Sequence, residues 1–238
     1  MKKISRKALS VILSNALLVV IIVSVFVVGF SFNKAYPIYG GKRENAIYRG
    51  NVENKNASLM FNCYEGAEVV SGIIDLLDEK GVKGTFFVGG CWADDNEIIL
   101  KKIVKSGHEI ANHGYFHKDH KTLSYEENYA EIENTGKVIE GLCGISPTLF
   151  APPSGSFSDK TLDSASDLGY KIIMWSSDTI DWRDSDENLI YNRAIKTAEN
   201  GELILMHPKK HTLSVLPKII DFYLNNGFNL VTVSDNIK

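Results

Sequence analysis

Between residues 59 and 233 the chain alternates short apolar runs with longer amphipathic stretches, and this alternation narrows the available folds more than any other feature. Residues 59–63 are followed by 69–80, 84–88 by 97–106, 109–112 by 125–142, 149–151 by 159–168, 171–175 by 187–200 and 203–206 by 216–226, with a last run at 230–233. The short runs favour β-branched and aromatic residues, and the longer ones space their apolar positions as a helix does. Repeated βα units build a parallel α/β sheet, and about seven strands predict a barrel or a doubly wound sheet. With 238 residues and 44% apolar content, one core of ordinary size is expected rather than several domains.

Ahead of this region, residues 1–7 carry Lys2, Lys3, Arg6 and Lys7, and a nearly uncharged apolar run covers 8–32. That run is about long enough to cross a bilayer as a helix, and the basic flank predicts a cytoplasmic N-terminus with the remainder outside the cell. Cleaved signal peptides have shorter apolar cores and a small-x-small site. Residues 29–35 offer no convincing site, so a single-pass anchor in the cell membrane is expected, with a secreted protein as the alternative if the segment is cleaved. Residues 33–56, with Pro37 and the pair Gly40-Gly41, read as a linker or wrapping segment before a domain over 57–238. The net charge is −3 and no block of lysine or arginine lies in the folded part, which argues against a nucleic-acid partner. Three cysteines, Cys63, Cys91 and Cys143, cannot all pair within one chain, and none forms a CxxC motif.

A parallel barrel keeps its chemistry at the C-terminal strand ends. Asn62, Cys63, Tyr64 and Glu65 follow the first run, His113 and His117 the third, Asp178, Asp181 and Trp182 the fifth, and His207 the sixth. Two histidines four residues apart can reach one divalent metal from the same side of a loop, and a third protein ligand leaves a position for water. The plainer alternative is a pair of surface histidines near His120, which, like His211, is itself expected at the surface. A two-histidine metal site, a further histidine for proton transfer and a carboxylate to orient it together suit metal-assisted hydrolysis.

Over about residues 57–235 the chain resembles the polysaccharide deacetylases of the NodB-homology class, carbohydrate esterase family 4. His113-Gly114-Tyr115-Phe116-His117 resembles that family's metal motif, and Ala151-Pro152-Pro153-Ser154-Gly155 its Arg-x-Pro-x-Gly groove motif. Asp178-Thr179-Ile180-Asp181-Trp182 resembles its Asp-Trp motif, Leu203-Ile204-Leu205-Met206-His207 its terminal Leu-x-His motif, and Gly84-Thr85-Phe86-Phe87-Val88 a further strand of the fold. The resemblance implies a distorted (β/α) barrel and hydrolysis of N- or O-acetyl groups on a polysaccharide with a divalent metal, zinc first, with cobalt, nickel or manganese as alternatives. It implies His113 and His117 as metal ligands, His207 as general acid toward the leaving amine and Asp181 as the residue that orients His207. Tyr115, Pro153 and Trp182 are implied at the substrate groove.

The first motif departs from the family. Thr-Phe-Asp-Asp-Gly is replaced by Met60-Phe61-Asn62-Cys63-Tyr64-Glu65-Gly66, which places Asn62 at the usual base and Cys63 at the usual metal carboxylate, as a substitute thiolate ligand or as a packing residue. A neutral amide takes no proton from metal-bound water. Glu65 is a substitute base on the same loop, or a solvated turn carboxylate, and Asp119 is a second candidate of the same kind. Ala151 stands where an arginine orients the base. Two functions follow: a membrane-anchored, metal-dependent deacetylase acting on an extracellular N-acetylated glycan such as peptidoglycan, or a catalytically inactive relative that binds glycan or assists cell-envelope assembly.

Overall fold

The computed structural model describes Leu13, residues 15–24 and residues 45–238. Residues 15–24 are helical and belong to a separate N-terminal unit, Met1–Ile38. The expected basic tail at 1–7, most of the apolar run at 8–32 and the linker up to residue 44 lie outside the described residues. Among the described residues no helix is long and apolar enough to cross a membrane.

In the larger unit, Tyr39–Lys238, the strands are β1 (Asn56–Cys63), β2 (Gly84–Val88), β3 (Glu109–Asn112), β4 (Leu149–Phe150), β5 (Lys171–Ile172), β6 (Ser177–Asp178), β7 (Glu202–Met206) and β8 (Asn229–Leu230). They pair in parallel in the order β5-β4-β3-β2-β1-β7-β6, with β8 beside the start of β1. The two ends of that path, β5 and β6, are consecutive in the chain. Ile173 still donates its N–H to Phe150 on β4 (2.8 Å), while Ser176 already donates to Leu203 on β7 (3.0 Å). No ladder joins β5 to β6 among the described residues, so the expected barrel is a half-barrel, and one segment leaves one of its ends and joins the other. The strand expected at 171–175 therefore stops at Ile172, and a second strand begins at Ser177, beyond the expected run, since one straight strand cannot follow both neighbours.

Around the strands lie α1 (Ala67–Glu79), α2 (Gly90–Asp95), α3 (Glu97–Lys105), α4 (Tyr125–Cys143), α5 (Asp159–Asp167), α6 (Glu187–Ala194), α7 (Lys210–Asn225) and α8 (Val233–Asn236). α1 buries Val70, Ile73, Ile74 and Leu77, the i, i+3, i+4, i+7 face of an amphipathic helix, and each such side chain stabilises the fold by about 1.5–3 kcal/mol. A capping box between Ser124 and Glu127 starts α4, and Gly144, at φ 68°, ends it. α6 stops at Ala194, short of the expected residue 200. The run at 230–233 is strand only to Leu230, after which Thr232 accepts from the Asp235 N–H and caps a helical turn. Part of the expected linker is built into this unit: Ile47 bridges Ile173, and Gly50 donates to Gly201.

Strand alternation sorts the side chains into two layers. Leu59, Phe61 and Cys63 on β1, Phe86 and Val88 on β2, Ile110 on β3, and Ile204 and Met206 on β7 face the helices in one large core. Met60, Phe87, Ala111 and Leu203 point into the ring with Leu149, Ala151, Ile173 and Val233. Two residues further along, the inward positions become Asn62 on β1 and His113 just past β3, and four residues beyond Leu203, past inward Leu205, comes His207 just after β7. The period of two thus brings three polar side chains together above an apolar floor.

Candidate functional site

A cavity of about 370 Å³ opens at this end of the ring, and Asn62, His113, His117, Asp178 and His207 line it together with the rings of Tyr64, Trp175 and Trp182. Asn62 and His113 are almost closed to solvent, at 2% and 1% exposure. The Nδ1 of His113 lies 2.7 Å from the carbonyl oxygen of Ala151, which can only accept, so Nδ1 carries the proton. The Nε2 of His113 and the Oδ1 of Asn62 are buried with no hydrogen-bond partner. Burial, reinforced by neighbouring His117, holds the His113 imidazole well below its ordinary pKa, and burial also lowers that of His117. Both are therefore neutral donors of lone pairs near neutrality.

The loop joining the two histidines is fixed from below. Asn112 accepts the Gly114 N–H (2.9 Å) and donates to Ile132 on α4 (2.7 Å). The buried carboxylate of Glu131 accepts the N–H groups of Tyr115 (2.9 Å) and Phe116 (2.8 Å) and pairs with Lys118 at 3.0 Å. His117 then adopts φ 54°, and Ser154 and Ile180 adopt 55° and 54° in the neighbouring loops. Such backbone costs about 1–3 kcal/mol per residue and persists only where its surroundings enforce it. At Ile180 the enforcing contact is the Asp178 carboxylate, which accepts the Ile180 N–H at 2.8 Å. Burial raises the pKa of Asp178.

Opposite the two histidines, Asp181 is 1% exposed and accepts three hydrogen bonds. The His207 N–H (2.7 Å) and the Thr212 hydroxyl (2.7 Å) reach Oδ2, and the His207 Nδ1 lies 2.8 Å from Oδ1. A carboxylate holding Nδ1–H leaves the His207 Nε2 directed away from Asp181. Trp182 is 53% exposed at the rim, with the Arg183 guanidinium 5.9 Å from its ring centroid. Tyr64 packs its ring against His117, with centroids 4.0 Å apart, and lies 6.2 Å from His113.

Several sequence-expected residues fall elsewhere. Cys63 sits in the outer core with its thiol 3.5 Å from the Phe61 carbonyl, and burial raises its pKa, so it meets the helices and not the pocket. Glu65 pairs with Lys209, and Asp119 accepts from Ser156 (2.5 Å); neither lines the cavity. Tyr115 turns its hydroxyl to Asp94 and donates to it (2.5 Å), a hydrogen bond that pushes the phenol up to about 12. Pro153 is buried, and its successor Ser154 reaches the cavity in its place. His120, expected at the surface, is fully buried, with Nδ1 2.6 Å from the Asn128 side-chain oxygen. His211 is half-buried and bonds the Asp181 carbonyl at 2.8 Å. Sequence reasoning missed Glu131, Asn128 and Thr212. The available signal was polar side chains on the inward face of an amphipathic helix, where a buried carboxylate or amide needs a partner.

A parallel α/β ring with paired histidines and a His-Asp couple at its C-terminal end is the architecture of a carbohydrate esterase. The chain belongs to the polysaccharide deacetylase family, whose model matches residues 49–173. It is 35% identical to YlxY of Bacillus subtilis, an uncharacterised protein, over 79% of this chain and 59% of that one. It is 30% identical to the peptidoglycan-N-acetylglucosamine deacetylase PgdA of Listeria monocytogenes, over 76% of this chain and 39% of that one. The chain therefore spans less than two thirds of the length of either relative. Among solved structures it is similar to wild-type BA3943 of Bacillus anthracis, a pseudoenzyme of carbohydrate esterase family 4, with TM-score 0.79 and 33% identity over 82% of this chain and 69% of that one. A mutant of BA3943 has restored enzymatic activity.

Proposed function

We propose that this chain binds a peptidoglycan-type glycan in the ring pocket without hydrolysing it. The observation that carries this reading is Asn62: an amide occupies the inward position at the end of β1, beside the histidines. General-base catalysis needs a group that can take a proton within hydrogen-bond reach of the attacking water. Glu65, held by Lys209 outside the cavity, is not placed to serve. The exposed Trp182 ring at the rim offers the flat apolar face against which a sugar packs. Relatives that act on peptidoglycan support the substrate class. The basic tail at 1–7 and the apolar run at 8–32 support a membrane-anchored protein with its folded unit outside the cell.

The retained His207–Asp181 couple favours a second reading, metal-dependent removal of acetyl groups, in which His207 protonates the leaving amine and Asp181 holds its tautomer. The unpartnered Nε2 of His113, with His117 and the Asn62 amide oxygen, fits a divalent ion that accepts imidazole, such as zinc, cobalt or nickel, better than oxygen-preferring manganese. When bound, such an ion supplies Lewis-acid polarisation of an acetyl carbonyl. Acetate release from N-acetylglucosamine oligomers and peptidoglycan, with zinc and with chelator, separates the readings. No release from wild type together with release from Asn62→Asp supports the first. Release from wild type that is lost in His113→Ala establishes the second.

A further inference from the structure

The buried polar atoms left without partners at this pocket, Nε2 of His113 and Oδ1 of Asn62, offer lone pairs only. Asp178 adds a half-buried carboxylate, and the rings of Tyr64, Trp175 and Trp182 add π-faces. No lysine or arginine lines the cavity among the described residues. Acceptors, a carboxylate and aromatic faces in one cavity attract a cation. A volume of about 370 Å³ is far beyond one water's share of about 30 Å³, so a lone ion would leave most of it unfilled and a sugar-sized cation suits it better.

We propose that the pocket takes an amino sugar with a free ammonium, the de-N-acetylated unit of a glycan, in preference to its N-acetylated form. The proposal rests on the glycan-binding reading above and names the form of glycan bound. An ammonium brings three N–H donors to these acceptors and a positive charge to Asp178. An acetamide brings one N–H donor to these acceptors and no positive charge to Asp178. A divalent metal shares the cation chemistry, so the test carries a separate arm for it.

The experiment is calorimetric titration of the full chain in detergent near pH 6, with chelator, using glucosamine tetramer, N-acetylglucosamine tetramer and tetralysine. Expected is binding of the amino tetramer at least about tenfold tighter than the acetylated one, with no binding of tetralysine. Asp178→Asn brings the two tetramers toward equal affinity, and Asn62→Asp, which adds a charge among the acceptors, strengthens the amino tetramer. Equal or tighter binding of the acetylated tetramer overturns the inference and leaves the glycan reading standing. Equal binding of tetralysine overturns it as bulk charge attraction. Binding of neither tetramer to the folded chain overturns both. In the chelator-free arm, zinc that binds while the amino tetramer does not assigns the acceptors to a metal and overturns the inference.

Discussion

The Nδ1 of His113 and the carbonyl oxygen of Ala151 lie 2.7 Å apart, joining the end of β3 to the end of β4. This contact fixes the tautomer that aims a bare Nε2 at the cavity, and it uses the backbone of the residue that replaces the family's arginine. It depends on no side chain at position 151. Ala151→Arg is therefore expected to keep the histidine tautomer while placing a buried cation in the ring core, where it costs several kcal/mol unless paired. Urea denaturation checks the loss, and combining the change with Asn62→Asp should recover part of it.

Asp181 accepts three hydrogen bonds inside the protein, so its carboxylate matters to the fold as well as to His207. Asp181→Asn is expected to lower stability by about 3 kcal/mol. Thr212→Val, which removes one of the three donors, should cost about 1 kcal/mol. Chemical denaturation of both variants measures this, and equal losses would argue against the three-donor arrangement.

His113, His117 and His120 all have their pKa lowered below the ordinary 6.5, and burial is the largest cause for each. The unfolded chain takes up protons that the folded imidazoles refuse, so this contribution to stability is complete above about pH 6.5 and is lost as the pH falls below it. The slope approaches about 1.4 kcal/mol per pH unit for each histidine still neutral in the folded state. Urea midpoints at pH 7.5, 6 and 5 in chelator should fall steadily, and His120→Asn should flatten the fall. A midpoint independent of pH would contradict neutral buried histidines.

Cys63 is closed into the outer core and Cys91 is exposed. A thiol reagent should modify Cys91 in the native protein and reach Cys63 only on unfolding, because reactivity follows thiolate character and access. Mass spectrometry of the labelled peptides decides it. Early modification of Cys63, or its protection by zinc, would return it to the pocket.

Tyr115 and Trp182 are expected to separate in a glycan-binding titration. Tyr115→Phe removes a hydroxyl bound to Asp94 outside the cavity and should leave affinity unchanged. Trp182→Ala removes a rim aromatic and should weaken binding by about tenfold.

The βα alternation made the parallel ring legible, and strand ends marked Asn62, His113, Asp181 and His207 because those positions follow apolar runs. The same strand rule counts against Cys63: on β1, Asn62 and Cys63 are neighbours, and neighbours on a strand face opposite sides. Only one of them can meet the pocket. Tyr115 lies on a loop whose course is set by Glu131 on α4, a long-range contact that no local pattern reports. The early end of the 171–175 run at Ile172 and the second strand at Ser177–Asp178 were equally hidden, because they arise from the need to touch two distant strands at once. His120 looked exposed by its polar neighbours, yet the Asn128 side chain on α4 gives it a partner that lets it be buried.

The segment Lys171–Asp178 is also the seam of the ring. Its two strands are two residues long and carry few ladder bonds, whereas β1 is eight residues long and is paired by β2, β7 and β8 between them along its whole length. Opening the seam costs less than opening any part of β1, so its amides should exchange with deuterium earliest within the sheet. Trp175 and Asp178, which face the cavity, lie on this same stretch. A ligand that grips them ties the loose edge of the ring to the rest, and slower exchange across Lys171–Asp178 would then report occupancy of the pocket without any chemical turnover.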